Sequence, residues 1–206
     1  MVKIRWGNYK KKRVKSEACW GDLDVNVLHR ILELIPAEEL FSSASLVCRQ
    51  WRSICWEILF WNDHETLELS TLKHLVGGYY ASYNYPRKLT KALECVMNWA
   101  LKMEAQRCIR SIVFASFMYV KVTDLAFVAS RSPRLRRLIL PDTHSIKDVN
   151  EIAKIIQKWR EVEEVSLGPI LNNRTDHLFR RIGNDCKHLT KLHIFGAFAT
   201  RNPTLG

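Results

Sequence analysis

Leu135-Arg136-Arg137-Leu138-Ile139-Leu140 places apolar residues at its first, fourth and sixth positions. The same spacing returns in Ile109-x-x-Ile112-x-Phe114, Val162-x-x-Val165-x-Leu167 and Leu189-x-x-Leu192-x-Ile194, whose starts lie 26, 27 and 27 residues apart. Alternation over the last positions of each hexapeptide predicts a short strand with one face in a core. Segments 123–130, 146–159 and 175–186, lying between the strands, carry helix-like patterns. A strand and a helix repeated at a near-constant interval form one supersecondary unit used several times over.

A period of about 20–29 residues built on L-x-x-L-x-L resembles a leucine-rich repeat. The resemblance implies an α/β solenoid over 109–206, with parallel strands on a concave face and helices outside. The apolar pattern positions then point inward, so the alternating ones face out. Those rows hold Ser111, Val113 and Ala115; Arg137, Ile139 and Pro141; Glu164, Ser166 and Gly168; and Lys191, His193 and Phe195. Arg137, Ile139, Glu164, Ser166, Lys191, His193 and Phe195 are the candidate residues for holding a substrate. Ile139 and Phe195 beside Arg137 and Lys191 suit a protein partner better than a phosphate backbone. The sequence ends at Gly206, soon after the fourth strand, and the solenoid is expected to be shortened there. Leu192 and Ile194 would then form an edge that is exposed or paired.

Upstream, 71–108 reads as a connecting segment. Gly77-Gly78-Tyr79-Tyr80 and Tyr83-Asn84-Tyr85-Pro86 suggest a loop, and 89–103 an amphipathic helix that caps the first strand. Between 20 and 70 the pattern is helical throughout. Asp22 and Asp24 stand where exposed N–H groups at a helix start favour carboxylates. Leu23, Val27, Leu28, Ile31, Leu32 and Ile35 recur at helical spacing, and Pro36 ends that helix. A second helix is expected over 37–47, continuing to about 52, with Leu40, Ala44, Val47 and Trp51 along one face. So small a module encloses little core and is usually completed by a partner.

Trp20-x-x-Leu23, Leu28-x-x-Ile31, Glu39-Leu40, Leu46-Val47-Cys48-Arg49-Gln50-Trp51-Arg52, Trp61 and Leu67-Glu68-Leu69-Ser70 together resemble an F-box. The V-C-R-x-W-R core is the most specific part. Leu23-Asp24 stands where many F-boxes have Leu-Pro; the plant branch with leucine-rich repeats often has Asp there. Trp56-Glu57 replaces a common Asp-Pro, and 62–66 is slightly long. The resemblance implies docking onto the Skp adaptor of a cullin–RING ubiquitin ligase, and F-boxes are often followed by such repeats. Leu23, Leu28, Ile31, Leu40, Val47 and Trp51 fall at the positions of the hydrophobic face that the family uses.

The expected organisation is a basic arm (1–19), an F-box (20–70), a connecting segment with a cap helix (71–108) and leucine-rich repeats (109–206). Charge follows the same divisions. Residues 1–19 hold seven Lys/Arg against one acid, residues 20–70 three against nine, and the remainder twenty-two against eleven. Lys10, Lys11, Lys12 and Arg13 repel one another and form a solvated arm, whose sharpest functional reading is a nuclear-import signal. A net charge of +11 keeps a basic nucleic-acid-binding protein as the alternative. Against it, the 20–70 zone is acidic, the basic residues of the repeats are interspersed with acids, and no DNA- or RNA-reading motif is present.

No apolar run approaches a membrane span, and the start of the chain lacks a secretory core. Nuclear or cytoplasmic localisation is therefore expected, with six scattered cysteines reduced. Nucleophile-elbow, phosphate-loop and H-E-x-x-H patterns are lacking. Cys186-x-His188 with His193 is half a zinc site and is better explained by the repeat. Neither metal nor cofactor is expected. The sequence thus predicts a non-catalytic substrate receptor within a ubiquitin ligase, or a shortened member that occupies the adaptor as a competitor.

Overall fold

A computed structural model describes residues 23–72, 85–102, 108–116, 118–141, 149–170 and 175–195. Helix α1 (Val25–Glu33) opens on Asp24, whose Oδ1 accepts hydrogen bonds from the Asn26 and Val27 amides at 2.9 and 3.3 Å. Two N–H groups without intrahelical partners are satisfied in this way. Leu28 and Leu32 turn inward and are fully buried. Pro36 has no N–H to continue the helix, yet its carbonyl accepts from Glu39 and Leu40, both at 3.0 Å, and so starts α2 (Ala37–Glu39).

From α2 the backbone widens into a π-turn over Leu40–Ala44 and tightens again as α3 (Ser45–Val47). Cys48 is extended, at φ −156° and ψ 178°, and the chain turns there into α4 (Arg49–Phe60). The single helix expected over 37–52 is therefore broken. Cys48 Sγ accepts from the Trp51 amide at 3.5 Å, and Arg52 Nε donates to the Ser45 carbonyl at 3.0 Å, so the corner is braced from both sides. The wider π-turn over Leu40–Ala44 lies ahead of Val47, which is exposed while Leu40 and Ala44 are buried.

Five parallel strands follow in sequence order: β1 (Thr66–Glu68), β2 (Ser111–Val113), β3 (Arg137–Ile139), β4 (Glu164–Leu167) and β5 (Lys191–Ile194). Four of them are the predicted repeats. The fifth, β1, comes from the end of the segment read as helical. Its register, Leu67 against Ile112 against Leu138, makes His64 the counterpart of Ile109 and Leu69 that of Phe114. Consequently α5 (Tyr85–Lys102) is not a cap ahead of the first strand; it lies between β1 and β2. The remaining helices, α6 (Val122–Arg131), α7 (Val149–Ile156) and α8 (Thr175–Asp185), sit where the repeat spacing puts them. Of the suggested loop, 77–80 and 83–84 lie outside the described residues, whereas Tyr85 and Pro86 open α5.

One hydrophobic core runs from Leu28 to Cys186, so the helical module and the solenoid are packed as one body. The junction is built from Leu59, Phe60 and Leu72, all buried, and from Thr71, whose hydroxyl donates to the Leu59 carbonyl at 2.7 Å. At the other end Leu189, Leu192 and Ile194 are only half-buried, whereas their counterparts Val162, Val165 and Leu167 are fully covered.

Candidate functional site

Two surfaces carry the interaction chemistry. On the helical module the six predicted adaptor residues divide. Leu28 and Leu40 are each 1% exposed and belong to the interior rather than to the surface. Leu23 and Trp51 are partly buried and pack on that core. Ile31 and Val47 face solvent, Val47 with 58% of its surface exposed. Beside them stand apolar residues that the sequence reading did not nominate: Val25, Val27, Leu34 and Leu46. Val27, Ile31 and Leu34 lie at i, i+4 and i+7, one exposed stripe along α1 about 100° round from the buried Leu28. Leu34, at the end of that stripe, is 86% exposed. An aliphatic stripe left open beside a completed core costs solubility and is the mark of an interaction face.

On the solenoid, register aligns the outward positions into rows. Thr66, Ser111, Arg137, Glu164 and Lys191 form one, and Glu68, Val113, Ile139, Ser166 and His193 the next. Arg137 meets Glu164 across adjacent strands at 3.4 Å. Ile139 is half-buried, while Lys191, His193 and Phe195 are exposed. Ser166 departs from the expectation: it is buried, 4% exposed, because its short side chain is covered by its neighbours. Arg137, Ile139, Glu164, Lys191, His193 and Phe195 are thus accessible on the inner strands and the β5 end, and Ser166 is not.

The sequence reading began its rows at the third hexapeptide position and so passed over the second. That position gives a further row: Glu65, Arg110, Arg136, Glu163 and Thr190. Each rung is fixed by its backbone. The Glu65 carbonyl accepts from the Arg110 and Ser111 amides, both at 3.0 Å. Arg110 accepts from Arg136 and Arg137 at 2.7 and 2.9 Å, Arg136 from Glu163 and Glu164 at 2.7 and 2.9 Å, and Glu163 from Thr190 and Lys191 at 2.8 and 3.0 Å. Successive side chains then stand about 5 Å apart, close enough for neighbouring rungs to pair. Glu65 pairs with Arg110 at 3.2 Å and Arg136 with Glu163 at 3.5 Å. The charged residues at the second position of four of the five hexapeptides, Glu65, Arg110, Arg136 and Glu163, were the available signal.

Lys10, Lys11, Lys12 and Arg13 lie outside the described residues. Among the described residues no cluster of three or more His, Cys, Asp or Glu is placed to hold a metal ion, and no helix is long and apolar enough to cross a membrane. Burial pushes the Cys186 thiol up, with a smaller push from Asp185. Such a thiol is a poor source of the thiolate that zinc requires.

Residues 20–65 match the family model described as F-box-like. An F-box/LRR-repeat protein of Arabidopsis thaliana is 29% identical over 193 residues, covering 92% of this chain and 59% of that protein. The chain thus spans about three-fifths of the length of this curated relative. Two solved structures share the solenoid fold. The Chaetomium Mex67:Mtr2 subunits superpose with a TM-score of 0.52 at 21% identity, over 70% of this chain and 89% of that one. The Mex67 LRR domain from Chaetomium thermophilum gives 0.51 at 20% identity, over 70% and 91%. The family match and the relative together support a plant-type F-box/leucine-rich-repeat assignment. A helical region that matches the F-box-like model is followed by a leucine-rich-repeat-like fold, and the two together support a protein–protein interaction module.

Proposed function

We propose that this chain is the substrate-receptor subunit of a ubiquitin ligase of the Skp–cullin–F-box type. The helical module docks on a Skp-type adaptor, and the repeat face recruits a protein for ubiquitination. The chemistry belongs to other subunits of the complex. The observation that carries the reading is the open aliphatic stripe Val27, Ile31 and Leu34, with Leu46 and Val47 also exposed, on the segment that matches the F-box-like model. A helix-bearing adaptor would cover these side chains. The basic arm around Lys10–Arg13 suits import into the nucleus, where the complex would then act.

Co-purification with a Skp-type adaptor tests it, comparing the native chain with Ile31→Asp/Val47→Asp. Both substitutions sit at exposed positions, so the variant keeps its fold, and loss of the complex then reads the interface. A folded native chain that does not bind the adaptor overturns the proposal. Capture of that chain by nucleic acid, weakening steeply with salt, would put the alternative in its place. Ubiquitination of bound protein by the reconstituted complex separates a receptor from a competitor that merely fills the adaptor.

A further inference from the structure

The N-terminal edge of the sheet holds a cleft of about 460 Å³ lined by Glu65, Arg110, Ser111, Arg136, Arg137 and Glu163 among others. Register puts Arg110 and Arg136 on adjacent rungs, and Ser111 directly beside Arg137. Three arginines therefore line the cleft with Ser111 at the β2–β3 step, and the carboxylates of Asp63, Glu65 and Glu163 line it as well. Each arginine has a carboxylate within ion-pair distance: Glu65 for Arg110, Glu161 and Glu163 for Arg136 at 3.9 and 3.5 Å, and Glu164 for Arg137 at 3.4 Å. Between Arg110 and Arg136 two like charges face each other with no acid between them in the row.

Two donors at this step lack acceptors. Ser111 is 7% exposed, and its hydroxyl has no hydrogen-bond partner. Arg110 Nε is screened from solvent and stands 3.2 Å from Glu65 Oε1, but without the alignment of a hydrogen bond. A buried donor left unsatisfied is costly, and native structures hold few of them. The ion pairs around it are half-exposed, a class that contributes little to stability, so the guanidinium groups re-aim at little cost.

We propose that this step is an oxyanion-binding site, taking the carboxylate or phosphate group of a side chain on the recruited protein. The anion accepts from Ser111 Oγ and Arg110 Nε and lies between Arg110, Arg136 and Arg137. It competes with Glu65, Glu163 and Glu164 for the arginines, and planar guanidinium forks match its geometry. The flanking Glu65 and Glu163 turn away anions placed off centre. The inference rests on the recruiting role proposed above and names the chemistry that the repeat face selects.

The test is titration of the full chain with inorganic phosphate at constant ionic strength, set against chloride, reading the arginine Nε–H resonances by NMR. Saturable shifts confined to Arg110, Arg136 and Arg137 are expected. Ser111→Ala and Arg110→Gln should each weaken binding about tenfold, while Lys154→Gln on α7 should change nothing. Shifts that do not saturate, or that survive both site variants unchanged, overturn the site. Peptides carrying phosphoserine, glutamate or serine at one position then identify the source by competing with phosphate. Failure of all three overturns the protein-borne ligand. Adaptor co-purification of the same samples is an independent readout: phosphate binding without the adaptor keeps the site and removes the ligase reading, and the converse removes the site alone.

Discussion

The indole of Trp56 on α4 meets that of Trp99 on α5 edge to face, with ring centroids 5.6 Å apart and planes at 73°. Trp56 also lies edge-on to Phe60, and Phe60 to Phe41, so an aromatic chain runs from the helical module into the first repeat. Such pairs contribute roughly 0.5–1.5 kcal/mol beyond the area they bury. Trp56→Ala and Trp99→Ala are each expected to cost about 2–4 kcal/mol in urea unfolding. The double variant should fall short of additivity by about 1 kcal/mol, because the shared contact is lost only once. Strict additivity would show that the two rings do not couple the module to the solenoid.

Leu40 and Val47 are seven residues apart with the π-turn between them, and one is buried while the other is exposed. Leu40 is enclosed by the core, so Leu40→Ala should destabilise by about 2–5 kcal/mol and Leu40→Asp should unfold the module. Val47→Asp adds a carboxylate where water already is and should change stability by no more than about 0.5 kcal/mol. Circular dichroism melts of the two Asp variants check this directly. Equal destabilisation would place Val47 in the interior.

Much of this architecture was legible in residue spacing, because spacing reports which face is buried. Val162-x-x-Val165-x-Leu167 and its relatives gave four strands in the right register, and the helices between them fell within a few residues. Strand β1 escaped because His64 occupies the first position of its hexapeptide, and because Leu67 lies 45 residues ahead of Ile112 rather than 26 or 27. The corner at Cys48 escaped for a different reason. Leu40, Ala44, Val47 and Trp51 satisfy helical spacing perfectly well, and only the backbone torsions show that the helix does not continue. For the docking face, periodicity finds the apolar side of α1 but cannot tell Leu28, which lines the core, from Ile31, which lies 60° round from it and faces out. The charged rungs from Glu65 to Glu163 needed the strand register, which brings together residues far apart in the chain.

Asp124 is 3% exposed and ties two helices together. One carboxylate oxygen accepts from the Lys121 amide at 3.0 Å at the start of α6, and the other from the Thr90 hydroxyl of α5 at 2.7 Å. Asp124→Ala should remove this shared acceptor from both donors and cost about 2–4 kcal/mol. Thr90→Val, which keeps the shape, should cost about 1 kcal/mol. In the double variant most of the Thr90 cost should vanish, since the hydroxyl no longer has that acceptor to lose. A Thr90→Val cost that persists in full in the Asp124→Ala background would mean that the hydroxyl acts elsewhere.

Cys55 has no exposed surface, and burial pushes its thiol up to about 11, the only opposition being a backbone hydrogen bond. In the unfolded chain the thiol titrates near 9, so above that pH the unfolded state releases a proton that the folded state keeps. Stability is therefore fully present below about pH 9 and falls as pH rises toward 11, by on the order of 2–3 kcal/mol. Cys55→Ala removes the titrating group and leaves a small cavity. Its deficit relative to the native chain, measured by urea unfolding, should be largest near pH 8 and shrink by pH 10.5. The buried thiol should also resist iodoacetamide, while Cys95, exposed on α5, reacts readily. A deficit that stays constant across that pH range would show that Cys55 ionises in the folded chain as easily as in the unfolded one.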